Sequence, residues 1–256
     1  MWRMDSPRFF APYMVVMTKI FNDDAIKVMQ GLEAESVDLI LTDPPYGLAP
    51  HAKARGGEGP ALSFLKNSIN TSEWDNLTDT DFVALMEDFM AESYRALKKG
   101  GAMVTFCSTQ KTADVLVAAE KAGLYYKTFG VWHKTNPLPR NMKIDFLHSI
   151  EMWGYFLKNT KTGTFNGEGK PVHDLISCPI AAGKERQAGG GHIAQKPVKL
   201  MEHFVRLLSN PGEIILDPFM GTGTTGVAAL RLGRDFIGVE KDKKYFDIAE
   251  ARLEEV

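Results

Sequence analysis

The feature of this chain that most constrains its fold is a regular alternation of short apolar runs with amphipathic helical stretches. This alternation is typical of a mostly parallel sheet that helices cover on both faces. Seven runs are predicted to be strands: Tyr13–Ile20, Val37–Thr42, Ala102–Cys107, Lys127–His133, Ser149–Leu157, Glu213–Asp217 and Asp235–Glu240. Six stretches are predicted to be helices: Asp24–Gly31, Asp81–Lys98, Thr109–Ala122, Lys196–Leu208, Thr224–Leu232 and Asp242–Glu254. We therefore expect one α/β domain, residues 1–256, with a seven-stranded, mostly parallel sheet.

Two stretches interrupt this alternation. Gly47–Leu77 and Asn159–Gly191 are rich in glycine and polar residues and have little periodicity, so we interpret both as long loops. Loops of this length inside a compact domain tend to be functional or disordered. From Lys127 to Lys199 there are eleven Lys and Arg against five Asp and Glu, although the whole chain has a net charge of -2. Such a basic stretch fits either a contact with phosphates or a solvated face.

Several classes of protein are disfavoured by the composition. No apolar run approaches the roughly eighteen residues of a membrane span, and the first residues lack a signal-peptide core, so we expect a cytoplasmic protein without membrane contact. Cys107 and Cys178 are expected to be reduced core residues. His173, Cys178 and His192 lack a recognised ligand spacing, so we expect no metal site.

The first motif with chemical content is Asp43-Pro44-Pro45-Tyr46, which directly follows the apolar run Val37–Thr42. In an open α/β sheet, ligands bind beyond the carboxyl ends of the strands, so Asp43 and Tyr46 would face a ligand there. The prolines restrict the backbone and carry no N–H, which leaves the Pro44 carbonyl free to accept a hydrogen bond. We therefore predict that these four residues are catalytic; the plain alternative is a strand that ends in a proline turn.

An exocyclic amine of a nucleic-acid base would fit this segment. Its two N–H groups could donate to Asp43 and to the Pro44 carbonyl, while Tyr46 stacks on a base swung out of the helix. The lone pair of such an amine is delocalised into the ring, so the nitrogen is a poor nucleophile. Two acceptors would draw the nitrogen toward tetrahedral geometry and stabilise the positive charge that develops during methyl transfer.

The second motif runs from Asp217 to Gly226 and combines a strand end, a glycine-rich turn and a helix start. Its glycines, in the pattern G-x-G-x-x-G, allow a tight turn and a close approach of a cofactor to the backbone. Glu240 ends the next predicted strand, where it could bind ribose hydroxyls. The spacing predicts a nucleoside cofactor, and by itself it fits NAD as well as S-adenosylmethionine.

With both motifs, the sequence resembles the beta group of amino-type DNA methyltransferases, in which the catalytic motif precedes the cofactor motif. The resemblance covers nearly the full chain and implies a class I, Rossmann-like methyltransferase fold with a circularly permuted strand order. If the last two strands precede the first in space, Glu240, Asp24 and Asp43 lie at the carboxyl ends of neighbouring strands and form one site. The resemblance also implies S-adenosylmethionine as the cofactor and DNA as the substrate.

Further residues are assigned to the cofactor by this resemblance. Asp24 lies in Asn22–Ala25, which is similar to the family's acidic turn near the cofactor adenine, although Asp23 stands where a glycine is common. Lys196 and Pro197 open a helix similar to the one that packs near the methionine end of the cofactor. The full predicted set is Asp24, Lys196, Pro197, Asp217, Pro218, Phe219, Gly221, Thr222, Gly223, Thr224, Thr225 and Glu240.

The resemblance also indicates where DNA would bind. Residues 158–191 correspond to the family's target-recognition insertion, with Lys158, Lys161, Lys170, Lys184 and Arg186 as candidates for DNA contacts and Phe165 as a wedge or a packing residue. Contacts are also expected from the loop Gly47–Leu77, through His51, Lys53 and Arg55. Trp132–Pro137 resembles a segment that packs beside the flipped base, with a core strand that runs into a loop as the alternative. A restriction endonuclease partner is compatible with this family, and the oligomeric state is left open.

Four other functions compete with methylation of adenine N6. Cytosine N4 offers the same geometry on a different ring, but a serine is commoner than an aspartate at position 43 among cytosine enzymes. RNA is a further substrate class, and the permuted order favours DNA over it. An NAD-dependent oxidoreductase would leave Asp43–Tyr46 without a role, and its fingerprint normally opens the domain. A non-catalytic DNA-binding relative is disfavoured because both motifs are intact.

Overall fold

Eight strands form one sheet in the part of the chain that this computed structural model describes, residues 16–47, 75, 77–138, 146–191 and 194–256. The strands are β1 (Thr18–Phe21), β2 (Val37–Thr42), β3 (Leu97–Cys107), β4 (Leu124–Lys134), β5 (Ile150–Lys158), β6 (Leu175–Cys178), β7 (Ile214–Asp217) and β8 (Asp235–Val239). The helices are α1 (Ala25–Gln30), α2 (Asp79–Ala96), α3 (Thr112–Ala122), α4 (Gly183–Ala188), α5 (Val198–Leu208), α6 (Thr224–Arg231) and α7 (Lys243–Glu254).

The strands follow the order β1-β8-β7-β2-β3-β5-β4-β6 across the sheet. Neighbours are parallel except where β5 lies antiparallel to both β3 and β4. The prediction of a mostly parallel α/β sheet is confirmed. Two details differ: β7 and β8 lie between β1 and β2 rather than before β1, and the eighth strand, β6, comes from a stretch that we predicted to be a loop.

The carboxyl ends of β1, β8, β7 and β2 lie side by side, because these four neighbours are parallel and in register. We call this side of the sheet the carboxyl edge, and the side where the same strands begin the amino edge. The residues that follow the four strands therefore meet along one line. β4 also ends at the carboxyl edge, whereas the antiparallel β5 begins there and ends at the amino edge.

Helices cover the sheet on both faces, as the alternation of strands and helices predicts. Leu39 and Leu41 on β2 belong to the cluster that packs under α5, α6 and α7, while Ile40 belongs to the cluster with α1, α2 and α3. Because successive side chains of a strand point to opposite faces and both faces are covered here, β2 has three consecutive apolar residues, Leu39 to Leu41, rather than an alternating pattern. Each fully buried leucine or isoleucine contributes about 2 kcal/mol, so β2 is anchored from both sides. Cys107 and Cys178 are buried free thiols, as predicted.

Capping residues set the helix ends that flank the sheet. Asp24 accepts hydrogen bonds from the backbone of Ile26 and Lys27 and so begins α1. Thr78 and Asp81 form a capping box at the start of α2. Gly123, with φ of 92°, ends α3 in the left-handed region that favours glycine. No helix among the described residues is long and apolar enough to cross a membrane.

Candidate active site

The two predicted motifs meet where β2 and β7 lie side by side. Thr42, the last residue of β2, donates a hydrogen bond from its hydroxyl to the Asp217 carboxylate at the end of β7, with a distance of 2.6 Å between the two oxygens. Asp43 follows Thr42 directly, and Pro44 is buried behind it. The catalytic and cofactor segments, 175 residues apart in sequence, are thus held together by a buried hydrogen bond.

Asp43 lies in a cluster of charged side chains. Its Oδ2 accepts a hydrogen bond from the Lys196 ammonium, and its Oδ1 contacts the Tyr46 hydroxyl. The Lys196 ammonium also lies 2.7 Å from Oε1 of Glu151, and Lys134 lies 2.7 Å from Oε2 of Glu151. The side chains of Lys196, Glu151 and Asp43 are 6%, 12% and 22% exposed. Two cations and two carboxylates therefore alternate in a mostly buried cluster.

Burial and the neighbouring charges act differently on the two carboxylates. Burial and the nearby Glu151 charge raise the pKa of Asp43 above its usual value, despite the opposing effect of the Lys196 ammonium. Burial also opposes ionisation of Glu151, but the Lys196 and Lys134 ammoniums outweigh it and lower the pKa of Glu151 to about 2. The two pKa values therefore shift in opposite directions, which favours ionisation of Glu151 over ionisation of Asp43.

Tyr46 contacts both carboxylates through one hydroxyl. Its oxygen lies 2.7 Å from Oε1 of Glu151 and also contacts Oδ1 of Asp43. The Tyr46 hydroxyl has one proton and can donate it to only one of the two carboxylates at a time. The contact with the other carboxylate is a hydrogen bond only if that carboxyl group is itself protonated and donates to the Tyr46 oxygen. These contacts fix the plane of the Tyr46 ring, which packs against the edge of the core.

An aspartate outside both motifs shapes the catalytic turn. Oδ1 of Asp75 accepts hydrogen bonds from the backbone N–H groups of Tyr46 and Gly47, both at 2.7 Å. Gly47 has φ of 66°, so the chain turns away directly after Tyr46. The buried Asp75 thus fixes the backbone where the segment Asp43–Tyr46 ends.

The glycine-rich turn after β7 is open on the side that faces the carboxyl edge. Gly221 and Gly223 have φ of 53° and 78°, in the left-handed region that favours glycine. A side chain at Gly221 would point into open space, whereas one at Gly223 would contact Ala249 of α7. A cofactor can therefore approach the backbone at Gly221, while Gly223 is required for packing.

Glu240 follows β8 and faces this turn. Its Oε2 accepts a hydrogen bond from the Gly221 backbone at 2.9 Å, and its Oε1 accepts one from the Asp242 backbone at 2.7 Å. Each carboxylate oxygen can accept a second hydrogen bond, so two hydroxyl donors of a ribose can still be bound. Burial raises the pKa of Glu240. The glycine turn and this acceptor fit a nucleoside cofactor.

Asp24 lies beside Glu240 on the same edge of the sheet. The Asn22 amide donates to the carbonyls of Glu240 and Lys241, which ties the end of β1 to the end of β8. Lys241 forms an ion pair of 3.3 Å with Asp24. Asp24, Glu240 and Asp43 therefore all lie along the carboxyl edge, as the sequence predicts.

Other residues of the predicted cofactor set are turned inward. The Asp217 carboxylate accepts hydrogen bonds from Thr42, from Thr225 and from the Phe219 backbone, and burial raises its pKa to about 7. The hydroxyls of Thr222 and Thr224 contact Arg252 of α7. Pro218 is buried, and the ring of Phe219 meets that of Phe89 edge to face. These side chains shape the turn from within.

Lys196 and Pro197 lie just before α5, but the Lys196 ammonium points to Asp43 and Glu151. The structure thus brings a residue predicted for the cofactor into the charged cluster around Asp43. Sequence reasoning missed Glu151, Lys134 as its partner, and Asp75. The available signal for Glu151 was a charged residue inside an otherwise apolar strand, because such a residue needs a partner when it is buried.

The segment Trp132–Pro137 divides between core and site. Trp132 is buried, and its indole N–H donates to the Cys178 carbonyl, so it packs in the core and cannot stack on a base. Lys134 points into the catalytic cluster. The Asn136 side chain accepts a hydrogen bond from the Ile180 backbone and joins the ends of β4 and β6.

The predicted insertion 158–191 is divided between the two edges of the sheet. Lys158 is buried at the amino edge, where its ammonium donates to the Leu97 carbonyl, so it is unsuited to DNA contact. Asn166 is bound to the carbonyl end of α5, also at the amino edge. β6 then returns to the carboxyl edge, and Lys184 and Arg186 lie on α4 beyond it. His51, Lys53 and Arg55 lie outside the described residues, as does His192.

The order of parallel strands, the glycine turn after β7 and the acidic residue after β8 define a class I methyltransferase fold. The family of DNA methylases named N6_N4_Mtase matches residues 37–251 of this chain. The Type II methyltransferase M.HinfI of Haemophilus influenzae is 31% identical over 253 residues, which cover 94% of this chain and 69% of that protein. The chain therefore belongs to the N6_N4_Mtase family of DNA methylases.

Solved structures agree with this assignment. The crystal structure of the M1.HpyAVI-SAM complex matches with a TM-score of 0.69 and 30% identity, covering 93% of this chain and 99% of that one. The cytosine-N4-specific PvuII DNA methyltransferase has the same fold, with a TM-score of 0.72 at 20% identity, covering 94% of this chain and 87% of that one. S-adenosylmethionine is the cofactor of this methylase. Among the described residues, no cluster of three or more His, Cys, Asp or Glu could hold a metal ion.

Proposed function

We propose that the protein methylates adenine N6 at a specific DNA sequence, with the target base swung out of the duplex. The observation that best supports this proposal is Asp43, which follows β2 in a mostly buried cluster beside the glycine turn. Asp43 and the Pro44 carbonyl are the two acceptors that an exocyclic amine needs. A carboxylate at this position also offers a base for the proton that the nitrogen loses once it is methylated.

The remaining residues hold the reactants. When bound, S-adenosylmethionine supplies a methyl group that its sulfonium activates. Glu240 would accept hydrogen bonds from the ribose, and the open backbone at Gly221 would lie against the cofactor. Asp43 orients the lone pair of the amine and stabilises its developing positive charge. Tyr46 would bound the base pocket with its ring, which its hydroxyl contacts hold in position.

Cytosine N4 is the second candidate target. Its amine presents the same two N–H donors, and the PvuII enzyme, which is specific for cytosine N4, shares the fold. The aspartate at position 43 favours adenine, because a serine is commoner there among the cytosine enzymes. Product analysis separates the two, since the methylated nucleosides differ in mass.

The experiment is incubation of the purified protein with mixed-sequence duplex DNA and S-adenosylmethionine, followed by digestion and mass analysis of the nucleosides. We expect N6-methyladenine from the native protein. Asp43→Ala should lower its formation by about 1000-fold or more, since a preorganised group at the reacting atom is lost. Cofactor affinity, measured by calorimetric titration, should stay within about three-fold, because Asp43 accepts from the base rather than from the cofactor.

Asp88→Ala is the matched control, because Asp88 is an exposed aspartate on α2, away from the carboxyl edge. It should methylate DNA like the native protein. Full activity of Asp43→Ala would remove Asp43 from the mechanism. N4-methylcytosine as the product would keep the mechanism and replace adenine by cytosine, and a methylated RNA base without DNA methylation would refute the proposal.

We also propose how the chain is organised, which residues recognise DNA, which enzyme is its functional partner and where it is located. Residues 1–256 would form one domain, and the part of the insertion at 175–191 would contribute to DNA recognition through Lys184 and Arg186. A restriction endonuclease of the same specificity is proposed as a functional partner, because the related M.HinfI is a Type II methyltransferase. The cytoplasm is the proposed location, because the enzyme would meet DNA and S-adenosylmethionine there.

A further inference from the structure

Glu151 is a mostly buried carboxylate to which no sequence motif points. It lies on β5, and its partners come from three other parts of the fold: Tyr46 follows β2, Lys134 ends β4 and Lys196 precedes α5. Its Oε1 lies 2.7 Å from both the Lys196 ammonium and the Tyr46 hydroxyl, and its Oε2 lies 2.7 Å from the Lys134 ammonium. A buried charge with this many charged partners is costly to assemble, so a role beyond packing is indicated.

The donors that reach Glu151 are the same ones that reach Asp43. The Lys196 ammonium contacts Oδ2 of Asp43 as well as Oε1 of Glu151, and the Tyr46 hydroxyl contacts Oδ1 of Asp43 as well as Oε1 of Glu151. Each oxygen of Asp43 therefore shares its donor with Glu151. If Glu151 were neutral, both donors would turn to Asp43 alone and occupy the lone pairs that a target amine requires.

We propose that Glu151 is a positioning residue for methyl transfer, which holds Lys196 and Tyr46 between two carboxylates and so keeps Asp43 available to the target amine. This inference rests on the proposed function, because it assigns Asp43 to the amine. Lys134 belongs to the same arrangement of charges. Its ammonium lies 2.7 Å from Oε2 of Glu151, the oxygen that does not contact Lys196, and so limits how strongly Glu151 attracts Lys196. Glu151 acts through these neighbours and need not touch the base.

This arrangement of charges predicts how substitutions should move the pH at which Asp43 loses its proton. The charged and titratable groups around Asp43 come from six segments: Tyr46 after β2, Cys107 at the end of β3, Lys134 at the end of β4, Glu151 on β5, Lys196 before α5 and Asp217 at the end of β7. Glu151→Gln removes a negative charge and leaves both donors to Asp43, so Asp43 should lose its proton at lower pH. Lys134→Met removes a positive charge and frees Glu151 to attract Lys196, so Asp43 should lose its proton at higher pH.

The test is the pH dependence of kcat for DNA methylation, measured with the full chain for the native protein, Glu151→Gln and Lys134→Met. If ionised Asp43 is required, kcat falls as the pH drops through the pKa of Asp43. We expect this acid limb to move down by about 1 pH unit in Glu151→Gln and up in Lys134→Met.

Glu151→Gln should also lower the plateau of kcat by about 10- to 100-fold, with the affinity for S-adenosylmethionine kept within about three-fold. Glu250→Gln, an exposed glutamate on α7, is the control and should match the native profile.

Opposite shifts in the two variants support the inference. A lower kcat with the acid limb unmoved would mean that Glu151 only maintains structure, and an unchanged kcat in Glu151→Gln would remove it from the reaction; either result overturns the inference. Circular dichroism and cofactor titration show whether Glu151→Gln folds. If it does not, Lys134→Met tests the inference alone. An upward shift of the acid limb of its pH profile supports the inference, and an unmoved acid limb refutes it. If the native protein methylates no base, the proposed function fails instead.

Discussion

Glu240 illustrates how one side chain joins two parts of the cofactor site. Its carboxylate accepts one backbone N–H from the glycine turn and one from the start of α7, and each oxygen keeps capacity for another donor. It therefore both shapes the turn and offers acceptors beyond it. A glutamate is better suited than a glutamine, whose amide would present a donor to one of these N–H groups.

Replacement of Glu240 by alanine should weaken binding of S-adenosylmethionine. Loss of hydrogen bonds to a charged acceptor costs about 1.5–3 kcal/mol, which corresponds to roughly a 10- to 100-fold weaker affinity. Isothermal titration of the purified variant measures this change. Glu250→Ala, on the exposed side of α7, is the matched control. A titration curve equal to that of the native protein would refute the ribose-binding role of Glu240.

The segment that we propose to be catalytic, Asp43–Tyr46, could be located from the sequence, because it directly follows an apolar strand. The signal for Glu151 was weaker, a single charged residue in an otherwise apolar strand, because its contacts depend on the antiparallel pairing of β5 with β3 and β4. That pairing brings residue 151 next to residues 46 and 196, which no spacing along the chain reveals. Likewise, the sequence assigned Lys196 to the cofactor. The direction of its side chain depends partly on Glu151, which the sequence analysis did not identify.

At the scale of secondary-structure elements, a side-chain hydrogen bond to Asp217 adds to the backbone pairing of β2 with β7. This carboxyl group lies at the end of β7 and accepts hydrogen bonds from Thr42 of β2 and from the turn that follows. Burial raises its pKa from 3.8 to about 7. The folded state thus holds a proton on Asp217 over a pH range in which the unfolded chain does not.

The sign of the pH dependence follows from proton linkage. Because the pKa of folded Asp217 lies above that of the unfolded chain, this residue's contribution to stability declines as the pH rises from about 4 to about 7. Asp217→Asn removes this decline, so the stability of the variant relative to the native protein should improve over that window, by at most a few kcal/mol. Urea denaturation at several pH values measures the difference, with the exposed Asp88→Asn as control. A stability difference that is constant with pH, or that moves the other way, would contradict the assignment.

The main helices and strands were predictable because their apolar periodicity is strong. The two short elements β6 and α4 were missed, since four and six residues amid glycine and polar residues carry little periodic signal. Pairing with β4 over Val131–Lys134 stabilises β6, and the Glu185 carboxylate joins α4 to α5 by accepting from the Val198 backbone at 2.6 Å. Tertiary contacts thus define these elements, and local sequence preference does not.

For the whole molecule, the two edges of the sheet separate the candidate DNA contacts. Lys184 and Arg186 lie on α4 at the carboxyl edge, while Lys161 follows β5 at the amino edge, where Lys127 donates to its carbonyl. A duplex that delivers a base to Asp43 must lie along the carboxyl edge. The basic excess of this region is therefore only partly available to DNA.

Charge removal at the two edges should have different effects on DNA binding. The double variant Lys184→Ala with Arg186→Ala should weaken DNA affinity by about 10-fold in low salt and reduce the salt slope by about 1 to 2, as expected for lost phosphate contacts. The matched variant is Lys161→Ala with Lys170→Ala, because the exposed Lys170 lies between Asn166 and the start of β6, both at the amino edge. It should leave both quantities nearly unchanged. Fluorescence anisotropy over a range of salt concentrations measures both. Equal losses for the two pairs would refute the division between edges.

The strand order has a consequence for how the protein is made. β1 leaves the ribosome early, yet it pairs with β8, and Met17 bonds to Asp235, 218 residues further on. The β2 strand likewise cannot complete its pairing until β7 has been synthesised. Until the last part of the chain has been synthesised, both strands have open pairing edges that other nascent chains can occupy. Yield in rapid overexpression is therefore expected to depend on how long these edges remain unpaired, more than on the stability of the finished fold.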